Sequence, residues 1–540
     1  MSAALQMLTS PWRQLAQDMR WSYLPPLMVY MAAGVQGLTG IVGTFFVKEY
    51  LGISAEFLAA LAFWAGIPWA LKMPIGHLID VLWRFKSGFV ILGASLIACS
   101  LLIMAALIAS PEQMAALAPI SFWFVLATLL SPVGYVLQDA TADAMTVEAV
   151  PHTDTDGRPI DPLELKRMHT TMQTLGRVAI IGGTVVVALL NLWVFSDVAQ
   201  MDEATKTLTY RNVYLMGLVI PVLSVSGLGV AWWQRQQRIQ ACIASGMSPA
   251  HARLQVNGQP ESTPPNAMLL LGSAIFVTFT LSVGLSNWRY SQELIFAGSM
   301  VIIGILMRRL VQELDPRARQ TLVGTALVIF MFRATPSPGP GVSWWTIDVL
   351  GFDQAFFSVL SLIASILTLV GMFAFRRFMA ERSIFDVVIF LTLASLILGL
   401  PTVGMSLGLH EWTAAHTGGV VDARFIALVD TALESPLGQI SMIPMLAWIA
   451  NSAPAHLKAT YFAVMASFTN LALSASQLGT KYLNQTFVIT REVVDRSSGA
   501  VQVAANYDDL TPLLVSALAL GALLPLSAVA LARWKRWQSV

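Results

Sequence analysis

Two aspartates four residues apart are the first side chains in this sequence that could do chemistry. Asp139 and Asp143 lie in one apolar stretch, and the i, i+4 spacing places both carboxylates on one helix face. Like charges this close disfavour double ionisation, which makes the pair a candidate proton acceptor. Arg177 lies at a similar depth in the next apolar stretch, ~13 Å from its end. An Asp139–Arg177 pair is therefore predicted. It either breaks and reforms as protons or a ligand bind, or is a permanent salt bridge between neighbouring helices.

A second candidate is Arg333, which precedes the segment Thr335-Pro336-Ser337-Pro338-Gly339-Pro340-Gly341. The prolines and glycines predict a broken helix at this point. At membrane depth, such a break is tolerated only where it lines a cavity or packs within protein. The freed backbone groups and the Arg333 guanidinium would then bind a carboxylate in a bidentate manner. The alternative is a structural ion pair that joins two helices.

Four further candidate residues carry charge or aromatic surface. Asp430 and Glu434 repeat the i, i+4 spacing and are expected to balance Arg333 across a cavity, although Asp430 also suits a membrane interface. Lys72 ends the second apolar stretch, where it either contacts a ligand or extends to the lipid headgroups. Trp345 either stacks on a flat heteroaromatic ring or anchors the chain at the membrane surface.

These charges stand out because the chain has few of them. Of its 540 residues, 56% are hydrophobic and 12% are charged, and the mean hydropathy is +0.66. A soluble domain carries about 25% charged residues. The composition excludes a soluble enzyme, a disordered chain and a nucleic-acid-binding protein, and it argues against an outer-membrane barrel. Because a mid-membrane charge costs ~2.5–3.5 kcal/mol, each buried charge is a candidate functional residue.

Apolar stretches long enough to cross a bilayer predict fourteen spans, separated into two groups by the polar linker 234–266. Of the 32 Lys and Arg residues, 21 lie in segments that become cytoplasmic if the N-terminus is inside. Both termini are therefore predicted to be cytoplasmic. The predicted spans are 24–48, 56–76, 87–109, 119–148, 168–195, 212–233, 267–286, 291–310, 320–349, 355–378, 384–408, 424–450, 458–484 and 509–533.

An internal repeat organises these spans. The pattern Phe45-Phe46-…-Leu51-Gly52-Ile53 returns 299 residues later as Trp344-Trp345-…-Leu350-Gly351-Phe352. The repeat predicts an all-α polytopic membrane protein with two pseudo-symmetric six-helix bundles, 1–233 and 320–540. The segment 267–310 has no counterpart and is predicted to be an inserted transmembrane hairpin.

Several motifs resemble those of the folate–biopterin transporter family within the major facilitator superfamily. They are Ile67–Asp80, Gln138–Asp143, Phe332–Ser337, Gly438–Pro444 and Ala459–Ala463. The resemblance implies the major-facilitator fold and H⁺-coupled transport of a small anionic or heteroaromatic substrate by alternating access, in a bacterial inner membrane. It also implies that Gly76, Asp80 and Arg84 form a cytoplasmic gate motif, the alternative being a generic charged loop.

Two other functions remain open on sequence grounds. The patterns Lys72…Asp80, Gln138-Asp139 and Gly176-Arg177 also resemble muropeptide permeases, which suggests peptidoglycan fragments or another amphipathic anion as cargo. A non-transporting membrane assembly factor is the third possibility. Walker A and HExxH motifs are absent from the sequence, and its histidines and two cysteines show no metal-ligand spacing. We therefore expect a non-enzyme without cofactor or metal.

Overall fold

The structure is a computed structural model that describes residues 17–51, 53–82, 85–151, 160–257, 267–284, 286, 288–312, 316–375, 378, 382–438, 458–494 and 501–537. Within these ranges the chain is mostly helical, which confirms the predicted all-α class. In the N-terminal part the helices are α1 (Leu24–Val35), α2 (Gly40–Tyr50), α3 (Ala55–Ala70), α4 (Lys72–Val81), α5 (Lys86–Ala109), α6 (Pro111–Leu117), α7 (Ile120–Ala149), α8 (Pro162–Val194), α9 (Glu203–Met216), α10 (Val219–Ala244) and α11 (Pro249–Asn257).

The C-terminal part continues with more helices and one short antiparallel hairpin, β1 (Val493–Val494) and β2 (Val501–Val503). The helices are α12 (Ala267–Gly284), α13 (Ser291–Gln312), α14 (Pro316–Arg333), α15 (Gly341–Asp348), α16 (Gln354–Ala374), α17 (Ile384–Leu398), α18 (Leu400–Ser406), α19 (Leu409–His416), α20 (Ala423–Glu434), α21 (Lys458–Thr486) and α22 (Leu510–Trp534).

Eight helical segments among the described residues are long and apolar enough to cross a membrane. The fourteen-span count stays a prediction, because several other predicted spans form shorter or interrupted helices. The eight segments are Trp21–Val47, Lys86–Ala109, Ile120–Thr146, Thr171–Val194, Glu203–Ala244, Gln354–Ala374, Ile384–Ser406 and Leu510–Trp534.

The structure repeats the same local geometry at the start of α3 and α16, which begin 299 residues apart. Ser54 precedes α3, and its side chain accepts a hydrogen bond from the backbone N–H of Phe57 at 3.1 Å. Asp353 precedes α16 and accepts from the backbone N–H of Phe356 at 2.7 Å. Both side chains satisfy a backbone donor that the first helical turn leaves unpaired. The two copies of the sequence repeat therefore also begin their helices with the same type of capping hydrogen bond.

Two seams join the N-terminal helices to the C-terminal helices. In one seam α3 packs against α21, and in the other α8 packs against α16. A shift of 299 residues along the sequence takes the start of α3 to the start of α16. The same shift takes α8 to a range that largely overlaps α21. Each seam is therefore the counterpart of the other, as expected for two bundles with the same chain order.

Close helix packing within the N-terminal bundle depends on glycine. A Cβ at Gly34 of α1 would lie 2.0 Å from the carbonyl oxygen of Ile180 in α8. A Cβ at Gly183 would lie 2.7 Å from the carbonyl oxygen of Met31. Small residues let the two backbones approach this closely. Gly182 faces open space instead, so its substitution provides a control for these positions.

The inserted hairpin α12–α13 packs over the α3–α21 seam. The Gln292 amide in α13 donates to the carbonyl oxygen of Ala60 in α3 at 3.0 Å. The neighbouring Glu293 carboxylate lies 3.0 Å from the Lys481 ammonium of α21. The hairpin therefore contacts helices from both bundles. Before it, α10 extends to Ala244, past the predicted span end at 233.

Candidate functional site

The helix break between α3 and α4 positions Lys72. Pro68 lies inside α3 and provides no backbone N–H, and the helix ends at Ala70. Leu71 has non-helical backbone angles, and Lys72 begins α4. Because the two helices meet at this break, the Lys72 side chain reaches α7, which packs beside them.

Lys72 binds both aspartates of the predicted pair. Its Nζ lies 2.6 Å from Oδ2 of Asp139 and 2.7 Å from Oδ2 of Asp143. The Lys72 and Asp139 side chains are 24% and 17% exposed, whereas Asp143 is 41% exposed. One ammonium group therefore faces two carboxylates on successive turns of α7, and the second carboxylate is the more accessible one.

Tyr30 of α1 completes this group, which we call the Lys72 cluster (Tyr30, Lys72, Asp139 and Asp143). The Tyr30 hydroxyl donates a hydrogen bond to Oδ1 of Asp143 at 2.5 Å. Its ring is buried against Gly176 of α8, where a Cβ would lie 2.9 Å from the ring. Three segments of the N-terminal bundle thus meet at one polar centre.

The predicted Asp139–Arg177 pair is wrong, because Asp139 binds Lys72. Arg177 is partly buried in α8 and forms no ion pair within 4.0 Å among the described residues. Equal depth in the membrane brings two residues to the same layer, but helix rotation decides which side chains meet.

The broken helix after Arg333 is present, since α14 ends at Arg333 and α15 begins at Gly341. Three of its freed backbone groups, however, are bound by side chains of α21. Ser476 donates to the carbonyl oxygen of Thr335 at 2.6 Å. The Ser337 N–H donates to Thr480 at 3.0 Å, and Asn484 donates to the carbonyl oxygen of Pro338 at 3.1 Å.

These three α21 residues occupy one helix face at i, i+4 and i+8, and we call them the α21 polar stripe (Ser476, Thr480 and Asn484). Gly339, inside the break, has φ +82°, and a Cβ there would lie 2.7 Å from Nδ2 of Asn484. The break is therefore fixed by protein contacts. The Arg333 side chain of the predicted carboxylate-binding set remains a candidate, and it is partly buried.

The second acidic pair lies at the end of α20. Asp430 is partly buried, and its Oδ1 has no hydrogen-bond partner among the described residues. Glu434 is exposed. The side chains share a helix face, as predicted, and their proposed role in balancing Arg333 stays a prediction.

Trp345 is only 4% exposed and packs in an apolar cluster with Trp344, Phe352 and Phe356. This burial favours a packing role over stacking on a ligand ring. The spacing alone could not distinguish the two roles, because Trp345 closes a span in either case.

The predicted gate motif lies in and just after α4. Gly76 is in α4, where a Cβ would meet nothing within 4 Å, so close helix approach does not explain the glycine. Asp80 lies in the last turn of α4. Arg84 lies outside the described residues. The gate role stays a prediction.

Two contacts near the Lys72 cluster were not predicted from the sequence. The first is the Tyr30–Asp143 hydrogen bond, which nothing in the aromatic pattern of the first span indicated. The second is Asn470 of α21, whose amide donates to the carbonyl oxygen of Trp69 at 3.0 Å, beside the helix break. A lone asparagine in an apolar span was the available signal, because a buried amide needs a hydrogen-bond partner.

The Lys72 cluster can exchange a proton and can hold an anion. Protonation of one carboxylate weakens its hold on Lys72, and an anionic ligand can then pair with the freed ammonium. A metal site is not indicated, since no group of three His, Cys, Asp or Glu side chains suited to a metal ion occurs in the described part of the chain.

Comparison with known proteins yields two curated relatives. The chain is 22% identical over 455 residues to the folate-biopterin transporter of Synechocystis sp. (strain ATCC 27184 / PCC 6803 / Kazusa), covering 84% of this chain and 72% of the relative. It is 25% identical over 161 residues to putative folate transporter 2 of Plasmodium berghei (strain Anka), covering 30% of this chain and 34% of the relative.

Solved transporter structures share the fold. A peptide transporter POT in complex with alafosfalin superposes with a TM-score of 0.58 at 15% identity, covering 97% of this chain and 94% of the other. A D-xylose-proton symporter gives a TM-score of 0.51 at 13% identity, covering 94% and 95%. The BT1 family profile matches residues 239–536, more than half of the chain. The resemblance predicted from the sequence is therefore confirmed: this chain belongs to the BT1 family and is a multi-pass membrane transporter with the major-facilitator fold.

Proposed function

We propose that the protein is a secondary active transporter that moves a folate- or pterin-like organic anion by alternating access, coupled to protons. The observation that carries the coupling is the Lys72 cluster. One ammonium and two carboxylates leave a net charge of −1 when both aspartates are ionised, and one bound proton brings the site to neutrality. In a site of this kind, proton binding changes the strength of the contact between α4 and α7.

The substrate class follows from charge and from kinship. The Synechocystis relative is a folate-biopterin transporter by name, and a folate carries carboxylates that suit cationic side chains. Lys72, Arg177 and Arg333 are cations that lie within predicted spans. We propose that Arg333 and Arg177 hold the anion from opposite bundles and that Lys72 joins them once a proton occupies Asp139 or Asp143.

The contacts between the bundles support alternating access. Hydrogen bonds join Gln354 to Tyr210 at 2.6 Å and Gln485 to Glu56 at 2.6 Å. Both lie at the ends of spans that carry the repeated Leu-Gly turns, which the Lys and Arg distribution predicts to be the outer side. Closure at this end is what the inward-facing state of the cycle requires.

Two further roles and a location belong to the proposal. Asp430 and Glu434 complement the anion-binding cations from α20, with Asp430 as a second proton carrier. Gly76, Asp80 and Arg84 form the cytoplasmic gate. The chain resides in a bacterial inner membrane with both termini in the cytoplasm, in agreement with the excess of Lys and Arg in the corresponding segments.

Uptake into proteoliposomes tests the proposal. Purified full-length protein is expected to accumulate radiolabelled folate or biopterin when the lumen is alkaline, and unlabelled muropeptide is expected not to compete. Uptake that ignores the pH gradient would reject proton coupling. Competition by muropeptide but not by folate would reject the substrate class. The matched control is Asp386→Asn, which removes a surface ion pair with Arg533 (3.3 Å) and should leave uptake unchanged.

A further inference from the structure

Between α21 and α22, the described residues 487–494 and 501–509 pack onto the C-terminal bundle. Thr490 and Asn506 exchange two backbone hydrogen bonds, at 3.1 and 2.9 Å, and β1 pairs with β2 beyond them. The Tyr507 hydroxyl donates to Oδ2 of Asp348 at the end of α15, at 2.5 Å. Burial, together with this hydrogen bond, raises the pKa of Tyr507, so the phenol stays protonated and keeps its donor.

One side chain of this segment reaches the other bundle. Arg491 is only 3% exposed, and its Nη2 donates to the carbonyl oxygen of Leu51, in the turn between α2 and α3, at 3.0 Å. Its guanidinium lies 5.3 Å from the ring centre of Trp344. The arginine therefore rests on an aromatic ring of its own bundle and donates to a backbone oxygen of the opposite bundle.

A buried guanidinium is costly to keep out of water unless its surroundings replace the lost hydration. Here the carbonyl oxygen of Leu51, which lies across the boundary between the bundles, replaces part of the lost hydration. If the bundles separate at this end, the Leu51 contact is lost and water reaches the arginine. The position of Arg491 is thus coupled to the opening of this end of the molecule.

We propose that Arg491 is a latch that holds the predicted outer end of the transporter closed. The proposal rests on the alternating-access part of the proposed function and adds a residue that sets the balance between its two states. Arg491 acts by positioning the bundles and is not proposed to contact substrate. Phe45 and Phe357, whose rings pack edge-to-face at 5.9 Å across the same boundary, supply the apolar part of the closure.

The chain offers a matched control at the same end. Arg424 of α20 also donates to a backbone oxygen, that of Gly351, at 3.0 Å, and its guanidinium lies 5.2 Å from the ring centre of Phe356. Its ion-pair partner Asp353 also belongs to the C-terminal bundle. Arg424 thus repeats the chemistry of Arg491 without crossing the boundary.

The test is a distance measurement between spin labels on the full-length purified protein without substrate. The labels replace the exposed residues Leu117 and Val420, which lie on opposite bundles at the predicted outer end, after Cys99 and Cys242 are changed to Ser. For Arg491→Ala, the ratio of long-distance to short-distance populations should rise about tenfold, the effect of losing one charge-assisted hydrogen bond. Arg424→Ala should leave the ratio unchanged.

An unchanged distribution in Arg491→Ala, or an equal shift in Arg424→Ala, would overturn the latch. If Arg491→Ala fails to fold, Arg491→Lys is measured in its place, with an expected shift of about threefold because lysine keeps the charge but not the planar donor geometry. Since no substrate is used, failure of folate uptake leaves this result intact. If Arg491→Ala shifts the distances between the labels but the unaltered protein does not take up folate, the proposed substrate class is rejected. The proposal that Arg491 is a latch then still stands.

Discussion

Lys72 and Asp139 are 67 residues apart in the chain, and Nζ of the lysine lies 2.6 Å from Oδ2 of the aspartate. The contact joins α4 to α7, and Asp143 binds the same ammonium one turn further along. Because two carboxylates share one cation, the site is left with an excess negative charge that one proton can neutralise.

Removal of the shared cation should destabilise the protein. In Lys72→Met, two poorly hydrated carboxylates face each other without a counter-charge, so we expect a loss of about 2–4 kcal/mol. The double variant Lys72→Met/Asp139→Asn restores the original net charge and should recover part of this loss. Thermal unfolding in detergent, followed by tryptophan fluorescence, measures both. An additive effect of the two substitutions would contradict the pairing.

Neutralisation of one carboxylate should abolish proton-driven accumulation of substrate while leaving substrate exchange across the membrane intact. Asp139→Asn resembles the protonated aspartate, so the bundles can still rearrange around bound substrate but no proton is released. We expect substrate counterflow at a rate within about threefold of the unaltered protein and loss of accumulation driven by a pH gradient. Both assays use the same vesicle preparation. Gradient-driven accumulation that persists in Asp139→Asn would exclude this carboxylate from coupling.

The broken helix after α14 should not tolerate a side chain at Gly339. Alanine there would have to adopt φ +82° and would meet Asn484 at 2.7 Å. We expect Gly339→Ala to cost about 1–3 kcal/mol and to disturb the α21 polar stripe. The control is Gly182→Ala in α8, where a Cβ meets nothing within 4 Å and alanine favours the helix. Equal unfolding temperatures for the two variants would refute this account of the break.

Two substitutions of Trp345 distinguish a role in core packing from a role in substrate binding. If its role is in the core, Trp345→Phe should leave the KM for folate within about twofold, while Trp345→Ala should cost about 3–5 kcal/mol of stability. Uptake kinetics and thermal unfolding are measured on the same preparations. A large rise in KM for Trp345→Phe at unchanged stability would restore the interpretation that its ring stacks on the substrate.

The sequence predicted the Asp139–Asp143 face but assigned its partner to the wrong helix. Counting residues from helix ends gives depth, and by depth Arg177 was a good partner for Asp139. Rotation about the helix axis is set by packing, here by Gly176 against Tyr30 and by the break at Leu71 that turns Lys72 toward α7. Neither effect can be calculated from the spacing of charges.

The break after Arg333 was predictable from its prolines, and its role was not. Backbone groups freed by a break always need partners, but the sequence does not say whether a ligand or a neighbouring helix provides them. The partners are the α21 polar stripe, which lies more than 130 residues away in the chain. The 299-residue repeat, in contrast, predicted the matching helix starts of α3 and α16, because local turn chemistry determines them.

The most direct test of the central claim is substrate-induced proton movement. Proteoliposomes with a pH-sensitive dye in the lumen and equal pH on both sides receive external folate or biopterin. Proton coupling at Asp139 predicts acidification of the lumen by the unaltered protein and none by Asp139→Asn. Uptake of labelled substrate by the unaltered protein without any change in lumenal pH would contradict proton coupling through the Lys72 cluster.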